Sequence, residues 1–312
     1  MTNYEFYITG IFPRDDRLIS IWKMWEWGKA TGKDLEDEIR REAKEVIDLQ
    51  VRADLTYIHN PHINWHDLFR PFTKLENIRE GPLTRFFENN TFYRKPIIVD
   101  KQSYKPGLLD EYMFTDLMPK GRDWIYTLPG LYTFYKLSEF RDRGTAIDTI
   151  QNVILGAMED LRSNGFRVII LHEPSIAYEG EYVDTKTVKD LYKPLIESGF
   201  EYWLHLYFGD VNPVIGLLCD IAQYGFSVDL SYTPIEILDR IPVDRLSLGI
   251  IDAQNSLLED VEDLVKTIRG FNARVKFKNI GVCPNTDLDY LPYNIARAKI
   301  MVLAHLARRL RG

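Results

Sequence analysis

Cysteine is scarce in this sequence, with only Cys219 and Cys283 among its 312 residues. The two lie far apart, each in an apolar stretch, and neither belongs to a CxxC pair. This excludes a disulfide framework and a cysteine-rich metal site. So few thiols are typical of a protein from a reducing compartment, and we therefore predict a cytoplasmic location.

Long apolar runs and basic clusters are also absent. No stretch of about eighteen apolar residues is present, and the first residues, MTNYEFYITG, lack the basic and apolar regions of a signal peptide. The net charge is -7, and Lys and Arg form no cluster that would offset it. We therefore predict no nucleic-acid partner and no membrane partner.

The chain does contain a regular alternation of strand and helix patterns. Eight β-branched or apolar runs predict strands at Tyr4–Thr9, Asp54–Ile58, Asp123–Leu128, Arg167–Leu171, Tyr202–Leu206, Phe226–Leu230, Arg245–Ile251 and Lys276–Val282. An extended insertion separates the second strand from the third. Since linker-like composition is nearly absent, we predict one α/β domain over residues 1–312, folded as a (β/α)8 TIM barrel. A doubly wound sheet is the alternative, although no GxGxxG follows the first strand.

Polar residues collect where the predicted strands end. The stretch Tyr202–Ser231 predicts a strand, a polar turn, a helix and a second strand, with His205, Tyr207 and Asp210 at the carboxyl end of the first strand. This is the end of a parallel barrel at which ligands bind. Leaving about nine such side chains buried and unpaired would cost on the order of 1–3 kcal/mol each, so we expect an open polar pocket at the barrel mouth.

The histidines favour two interpretations. Five of the six follow predicted strand ends, namely His59, His62, His66, His172 and His205. Imidazoles at such positions suggest proton transfer or metal ligation. Three of them share one short loop, however, and a buried polar mouth needs hydrogen-bonding groups in any case. Glu173 suits a general acid or base and equally a structural carboxylate. The candidate catalytic residues are His172, Glu173, His205 and Asp252.

Several motifs resemble one known family. They are GIFPR (10–14), LPGLYTF (128–134), VIILHEPSI (168–176), LHLYFGDV (204–211), LSLGIIDAQN (246–255) and VCPN (282–285). In this order, over nearly the whole chain, they resemble the cobalamin-independent methionine synthases, within the barrel superfamily that also contains uroporphyrinogen decarboxylase. That family carries two barrels in tandem, and this chain has the length of one. The resemblance implies a role in methyl transfer from a polyglutamyl 5-methyltetrahydrofolate to homocysteine.

The zinc ligands of that family's catalytic barrel are not preserved here. The resemblance places His205 at the first ligand, but Tyr207 stands at its cysteine partner and Thr286 at the later cysteine. Asp229 is the nearest carboxylate to the glutamate ligand, and Cys283 lies three residues too early. Since thiolates provide the soft ligands of such a site, we predict no zinc and no other cofactor.

The sequence motifs are closer to those of the zinc-free amino-terminal barrel of the family. LYFGDV (206–211), SLGIIDAQN (247–255) and LTRFFENNTFY (83–93) echo its motifs, which implies a free-standing barrel of that type. The family's Arg-Glu-Leu-Lys group for the folate tail is missing, and only Arg17 and Lys23 follow Arg14. The implied substrate-binding residues are Arg14, Arg17, Lys23, His59, Asn60, Tyr207, Asp210, Gln254 and Asn255.

Three hypotheses about function follow. In the first, the chain is an accessory barrel, not catalytic alone, that docks on a separate zinc-bearing methionine synthase barrel and completes its methylfolate cleft. In the second, it is an independent methyltransferase with another donor, such as a corrinoid, and a site around His172, Glu173 and His205. In the third, it is a paralogue that retains only the fold.

The missing thiolates generate the first testable prediction. Purified protein should contain no stoichiometric zinc, because neither Tyr207 nor Thr286 supplies a soft ligand. Elemental analysis of the protein and of the variant His205→Ala is the measurement. One zinc per chain that disappears in the variant would contradict the prediction.

Overall fold

A computed structural model of the chain describes residues 2–241, 243–275 and 277–312. The predicted start of the eighth strand, Lys276, lies outside the described residues, as do Met1 and Pro242. The strands are β1 (Asn3–Phe6), β2 (Tyr57–His59), β3 (Ile78–Arg85), β4 (Phe92–Ile98), β5 (Asp123–Pro129), β6 (Glu139–Phe140), β7 (Phe166–His172), β8 (Tyr202–Leu206), β9 (Phe226–Asp229), β10 (Arg245–Ile251) and β11 (Asn279–Pro284).

The α-helices surround the strands. They are α1 (Asp16–Glu26), α2 (Gly32–Arg52), α3 (Leu131–Leu137), α4 (Arg143–Ser163), α5 (Pro174–Glu179), α6 (Thr185–Ser198), α7 (Ile215–Ile221), α8 (Val261–Arg274) and α9 (Tyr293–Arg311). Among the described residues, no helix combines the length and the apolarity that crossing a membrane requires.

Eight strands form one parallel sheet that curves into a nearly closed barrel. Their order is β1-β11-β10-β9-β8-β7-β5-β2, and every pairing between neighbours is parallel. The predicted (β/α)8 barrel is therefore confirmed, and each of the eight predicted strands overlaps a barrel strand.

The seam between β1 and β2 closes by contacts other than a strand ladder. The backbone N–H of Thr56 donates to the carbonyl of Phe6 at 2.8 Å, and the Phe6 N–H donates to the Thr56 hydroxyl at 2.9 Å. Further up, Phe12 N–H donates to the carbonyl of Pro61 at 3.2 Å. These bonds hold the two ends of the sheet together.

The predicted insertion between the second and third barrel strands forms a second, small sheet. β3 and β4 pair as an antiparallel hairpin, and β6 adds to β4 in parallel. The hairpin tip carries Phe86 and Phe87, which pack against Phe208 after β8. The insertion therefore covers the carboxyl end of the barrel.

The helices begin and end at capping residues, which differ in places from the boundaries that the apolar pattern predicts. The predicted helix Leu257–Arg269 begins later, at Val261, because the Asp260 side chain accepts from the N–H groups of Glu262 and Asp263. The predicted helix Val211–Gln223 is shorter and begins with a 3₁₀ turn at Asn212–Val214. Gly199 ends α6 at φ +69°, as predicted for a C-terminal glycine.

One ion pair is buried at the amino-terminal end of the barrel. Arg245 is paired with Glu5, and both residues are less than a tenth exposed. The Arg245 guanidinium lies 3.9 Å from the ring centroid of Trp203, and Tyr57 Oη donates to Glu5 at 3.1 Å. Aromatic rings thus exclude water from both charges.

This ion pair generates a stability prediction. Arg245→Met leaves the Glu5 carboxylate buried without its partner, and losing one member of such a pair costs about 3–5 kcal/mol. Urea unfolding monitored by circular dichroism should show that loss. The double variant Glu5→Gln/Arg245→Met is the matched control and should recover most of it. A single variant as stable as the parent protein would contradict this account.

Candidate functional site

Hydroxyl and imidazole groups from four strands form a hydrogen-bonded chain inside the barrel mouth. His59 Nε2 lies 2.8 Å from Thr127 Oγ1, which lies 2.9 Å from Thr9 Oγ1. Thr9 Oγ1 in turn lies 2.8 Å from His172 Nε2. The strand ends place these groups together because inward-facing side chains of neighbouring parallel strands share a layer.

His172 links this chain to the upper part of the mouth. Its Nδ1 lies 3.2 Å from Tyr207 Oη and 3.3 Å from Asp287 Oδ1. The His172 ring stacks on His205, with centroids 4.8 Å apart, and His205 Nδ1 contacts the Ser227 hydroxyl. The structure thus brings together three predicted site residues, His172, His205 and Tyr207.

The imidazoles at the mouth are neutral at physiological pH. Burial lowers the pKa of His59 and of His205 to about 3, and the pKa of His172 falls well below its usual value for the same reason, with His205 adding to the effect. A base with so low a pKa takes up a proton poorly near pH 7. The geometry therefore favours hydrogen bonding over proton transfer for these side chains.

Glu173 is fully buried, and both of its oxygens are occupied. Oε1 accepts from Tyr132 N–H at 2.7 Å and from Tyr192 Oη at 2.6 Å. Oε2 accepts from the Thr133 N–H at 2.9 Å and from its hydroxyl at 2.7 Å. The carboxylate thus binds the amino end of α3, which favours the structural interpretation of this residue.

A second polar network lies at the ends of β9, β10 and β11. Asn285 Nδ2 donates to Asp229 at 3.1 Å and lies 3.4 Å from Asp252. Burial raises the pKa of Asp229, although hydrogen bonds from Ser231 and Asn285 oppose the shift. This network places Asp252 beside β11 rather than beside His172 or His205.

The remaining predicted binding residues lie outside the mouth cluster. Asn60 is buried and bonds the insertion, donating to the Tyr112 carbonyl at 2.9 Å and accepting from Phe114 N–H at 3.0 Å. Gln254 and Asn255 are exposed in the turn after β10. Asp210 is half-buried and accepts from Asn212 N–H at 2.9 Å.

A cleft of about 910 Å³ opens beside the mouth, between the β1–α1 connection and the start of α9. Arg14 lies in its wall, where Nε donates to the Ile63 carbonyl at 2.8 Å and Nη2 to the Trp65 carbonyl at 2.6 Å. Arg17 also lines the cleft and pairs with Glu38 at 3.0 Å, whereas Lys23 is exposed on α1. Of the three predicted cations, Arg14 is the one fixed in place.

The barrel mouth itself is nearly closed, so the expectation of an open polar pocket there is wrong. The remaining chamber measures about 50 Å³ and is lined by Tyr207, Asp287, Asp289 and aromatic residues of the hairpin and of the segment after β11. Some polar groups of the mouth bond one another, whereas both ring nitrogens of His62 and Nε2 of His205 are buried without a partner among the described residues. The open space lies in the adjacent cleft.

Backbone strain is concentrated around this closed mouth. Three non-glycine residues there have positive φ: His62 at 46°, Phe87 at 52° and Phe208 at 67°. Such conformations are costly for bulky side chains and cluster at functional sites. Gly209, next to Phe208, has no room for a side chain, since a Cβ would lie 2.1 Å from the Ala177 carbonyl oxygen.

The residues present do not fit the zinc that the family's catalytic barrel binds. Tyr207 Oη is engaged with His172, and Thr286 is fully buried. Cys283 is buried with Sγ 3.7 Å from the Leu248 carbonyl oxygen, and burial raises the pKa of its thiol to about 12. Within the described ranges, no group of three or more His, Cys, Asp or Glu residues is arranged to hold a metal ion.

Sequence reasoning missed several members of this site. Thr127 and Ser227 lie inside β5 and β9, and Thr9 lies three residues after β1, where a hydroxyl gives no signal apart from its β propensity. Asp289 and Tyr290 follow β11 in the segment PNTDLDY (284–290), where two aspartates spaced two apart after a strand end were the available signal.

Together these features define a TIM barrel with a polar, aromatic-covered mouth and an adjacent cleft. The profile of the family described as the N-terminal domain of cobalamin-independent synthase matches residues 73–276. The chain therefore belongs to this family of cobalamin-independent methionine synthase domains, which confirms the resemblance in its motifs.

Individual relatives agree with this assignment. The methionine synthase of Saccharolobus solfataricus is 22% identical over 312 residues, covering 94% of this chain and 91% of that protein. The B12-independent methionine synthase of Shewanella, solved with selenomethionine, has a TM-score of 0.75 at 16% identity, covering 91% of this chain and 90% of that one. A putative vitamin-B12 independent methionine synthase of Listeria monocytogenes has a TM-score of 0.76 at 14% identity, covering 100% of both chains. The two structures share the fold.

The bonding of Glu173 predicts a pH-dependent stability. Burial raises the pKa of this carboxyl from 4.5 to about 7, with the bonds from Tyr192 and Thr133 opposing the shift. The folded protein therefore binds this proton more tightly than the unfolded chain does. The contribution is fully present below pH 4.5 and is lost as the pH rises through 7. The loss amounts to about 3 kcal/mol at 1.36 kcal/mol per pKa unit.

The variant Glu173→Gln tests this linkage. The free energy of unfolding of the variant should not fall as the pH rises through 7. Between pH 5 and pH 8 the variant should therefore gain stability relative to the parent protein. At low pH the two proteins should have similar stability, because the protonated carboxyl group and the amide both present one carbonyl oxygen and one hydrogen-bond donor. Urea unfolding at both pH values is the measurement, and parallel profiles for the two proteins would refute the assignment.

Proposed function

We propose that the chain acts as a zinc-free accessory barrel in cobalamin-independent methionine synthesis. It would present its mouth and cleft to a separate, zinc-bearing barrel and assist methyl transfer from a polyglutamyl 5-methyltetrahydrofolate to homocysteine. The observation that carries this proposal is the loss of thiolates from a barrel that otherwise belongs to the family. Methyl transfer to homocysteine needs a thiolate, and a free thiol with a pKa near 8.5 is only slightly ionised at neutral pH.

The chain's own thiols offer no substitute for a metal site. Cys283 is buried inside the barrel, and Cys219 lies on α7 at the outer surface. The zinc of the partner barrel would therefore activate the homocysteine sulfur. Both thiols are free, which suits the cytoplasmic setting that we propose for the complex.

Arg14 is the residue best placed to meet an anionic substrate. Two of its three guanidinium nitrogens bond backbone carbonyls, so that Nη1 remains for a ligand in the cleft. The ring of Trp22 lies 4.5 Å from the guanidinium carbon and fixes its plane. A preorganised guanidinium binds carboxylates well, and the tail of a polyglutamyl folate consists of carboxylates.

An independent methyltransferase is not favoured. Its proposed centre combines His172, Glu173 and His205, but the carboxylate already accepts four hydrogen bonds and both imidazoles are neutral.

Reconstitution tests the proposed function. Adding this chain to a zinc-bearing methionine synthase barrel should raise the rate of methyl transfer from the polyglutamyl folate. The variant Arg14→Ala should raise the apparent KM for the folate about tenfold, as expected when a hydrogen bond to a charged group is lost. Its effect on kcat should be small, because the contact binds substrate and transition state equally.

Arg52→Ala is the matched control, because Arg52 is exposed at the opposite end of the barrel and should leave both constants unchanged. Thermal unfolding of Arg14→Ala separates a binding effect from misfolding. Homocysteine methylation by this chain alone, or no effect on the partner at any ratio, would defeat the proposal.

A further inference from the structure

The chamber at the barrel mouth has an unusual combination of walls. About half of its lining is aromatic, contributed by Phe86, Phe92, Tyr93, Tyr207 and Tyr290. The rest includes three carboxylates, and no Lys or Arg side chain contributes to it within the described part of the chain. Its one imidazole, His66, is neutral because burial lowers its pKa to about 4. Acidic groups thus face a partly open space whose described lining contains no Lys or Arg.

One of the three carboxylates is left without a full partner. Asp67 is neutralised by Arg70, whose guanidinium donates to it at 3.0 Å. Asp287 is only 9% exposed, and its Oδ1 accepts no hydrogen bond from the described residues. His172 Nδ1 lies 3.3 Å from this oxygen and 3.2 Å from Tyr207 Oη, and it makes no hydrogen bond to Asp287. A buried acceptor without a donor is costly unless a ligand supplies one.

We infer that this chamber binds a compact organic cation, such as the head group of a primary or methylated amine. Aromatic rings attract an alkylammonium through their negative faces, and carboxylates accept hydrogen bonds from its N–H groups. A volume of about 50 Å³ suits a head group of this size, since one water-sized group needs about 10–15 Å³ by the same measure.

The walls favour an organic cation over an inorganic one. Hard metal cations take about six or more oxygen ligands, whereas much of this lining consists of ring carbon. Empty, the chamber holds two carboxylates that disfavour each other's charge. Burial raises the pKa of Asp287 well above its usual value, and the neighbouring Asp289 carboxylate adds to this shift. A bound cation would relieve this cost.

The chamber is connected to the large cleft. Ile11, His66 and Asp289 line both the chamber and the large cleft, so a head group can enter while its substituent stays in the cleft. Gly10 leaves space for the Asp287 carboxylate, since a Cβ at that position would lie 1.7 Å from Oδ1. The site therefore depends on this chain alone and not on the proposed partner barrel.

Ligand binding to the purified chain tests the inference. Methylammonium and trimethylammonium chlorides should raise the midpoint of thermal unfolding in a saturable way, and titration calorimetry should give their Kd values. Sodium and potassium chlorides at equal ionic strength should not reproduce the effect. Asp287→Asn should raise the Kd at least tenfold, and Asp289→Asn should raise it as well. Asp263→Asn removes an exposed carboxylate on α8 and should change nothing.

Several outcomes would overturn the inference. Equal stabilisation by potassium would indicate an inorganic cation site, and unchanged affinity in Asp287→Asn would place binding elsewhere. Absence of saturable stabilisation by either amine would leave the chamber without this ligand. Because no partner barrel is present, a negative result here leaves the reconstitution experiment unaffected.

Discussion

Closure of the barrel depends on the hydrogen-bonded chain that crosses its interior. Within the described residues β1 and β2 end the sheet without a ladder between them, so interior side chains reinforce the few backbone bonds that cross this seam. His59, Thr127, Thr9 and His172 connect β2, β5, the end of β1 and β7 in one continuous series. Hydrogen bonds in such a water-free network reinforce one another. The histidines at the mouth are therefore structural parts of the barrel before they are anything else.

Buried polar groups are stabilised in different ways at the two ends of the barrel. At the amino-terminal end, Arg245 and Glu5 neutralise each other between aromatic rings. At the carboxyl end, imidazoles and hydroxyls satisfy one another only in part, and Asp287 Oδ1 has no donor among the described residues. The mouth is thus the electrostatically incomplete end, and the strained Phe208 and His62 lie around it. An unfavourable free energy of this kind is retained at sites where a bound ligand offsets it.

Fold and chemistry depend on different groups in this barrel. The barrel is held by backbone pairing and by interior layers of side chains. Tyr207 fills its position with a phenol that lies 3.2 Å from His172 Nδ1. Function must therefore be argued from the side chains at the mouth.

The amino-acid sequence by itself determined the barrel, because strands buried on both faces need continuous apolar runs, as at Tyr202–Leu206 and Arg245–Ile251. It also placed His172, His205 and Tyr207 at strand ends. Only the tertiary structure decided that Glu173 is saturated by Tyr132, Thr133 and Tyr192, and that Phe86 closes the mouth. These contacts join residues far apart in the chain, and local periodicity carries no information about which distant side chains meet.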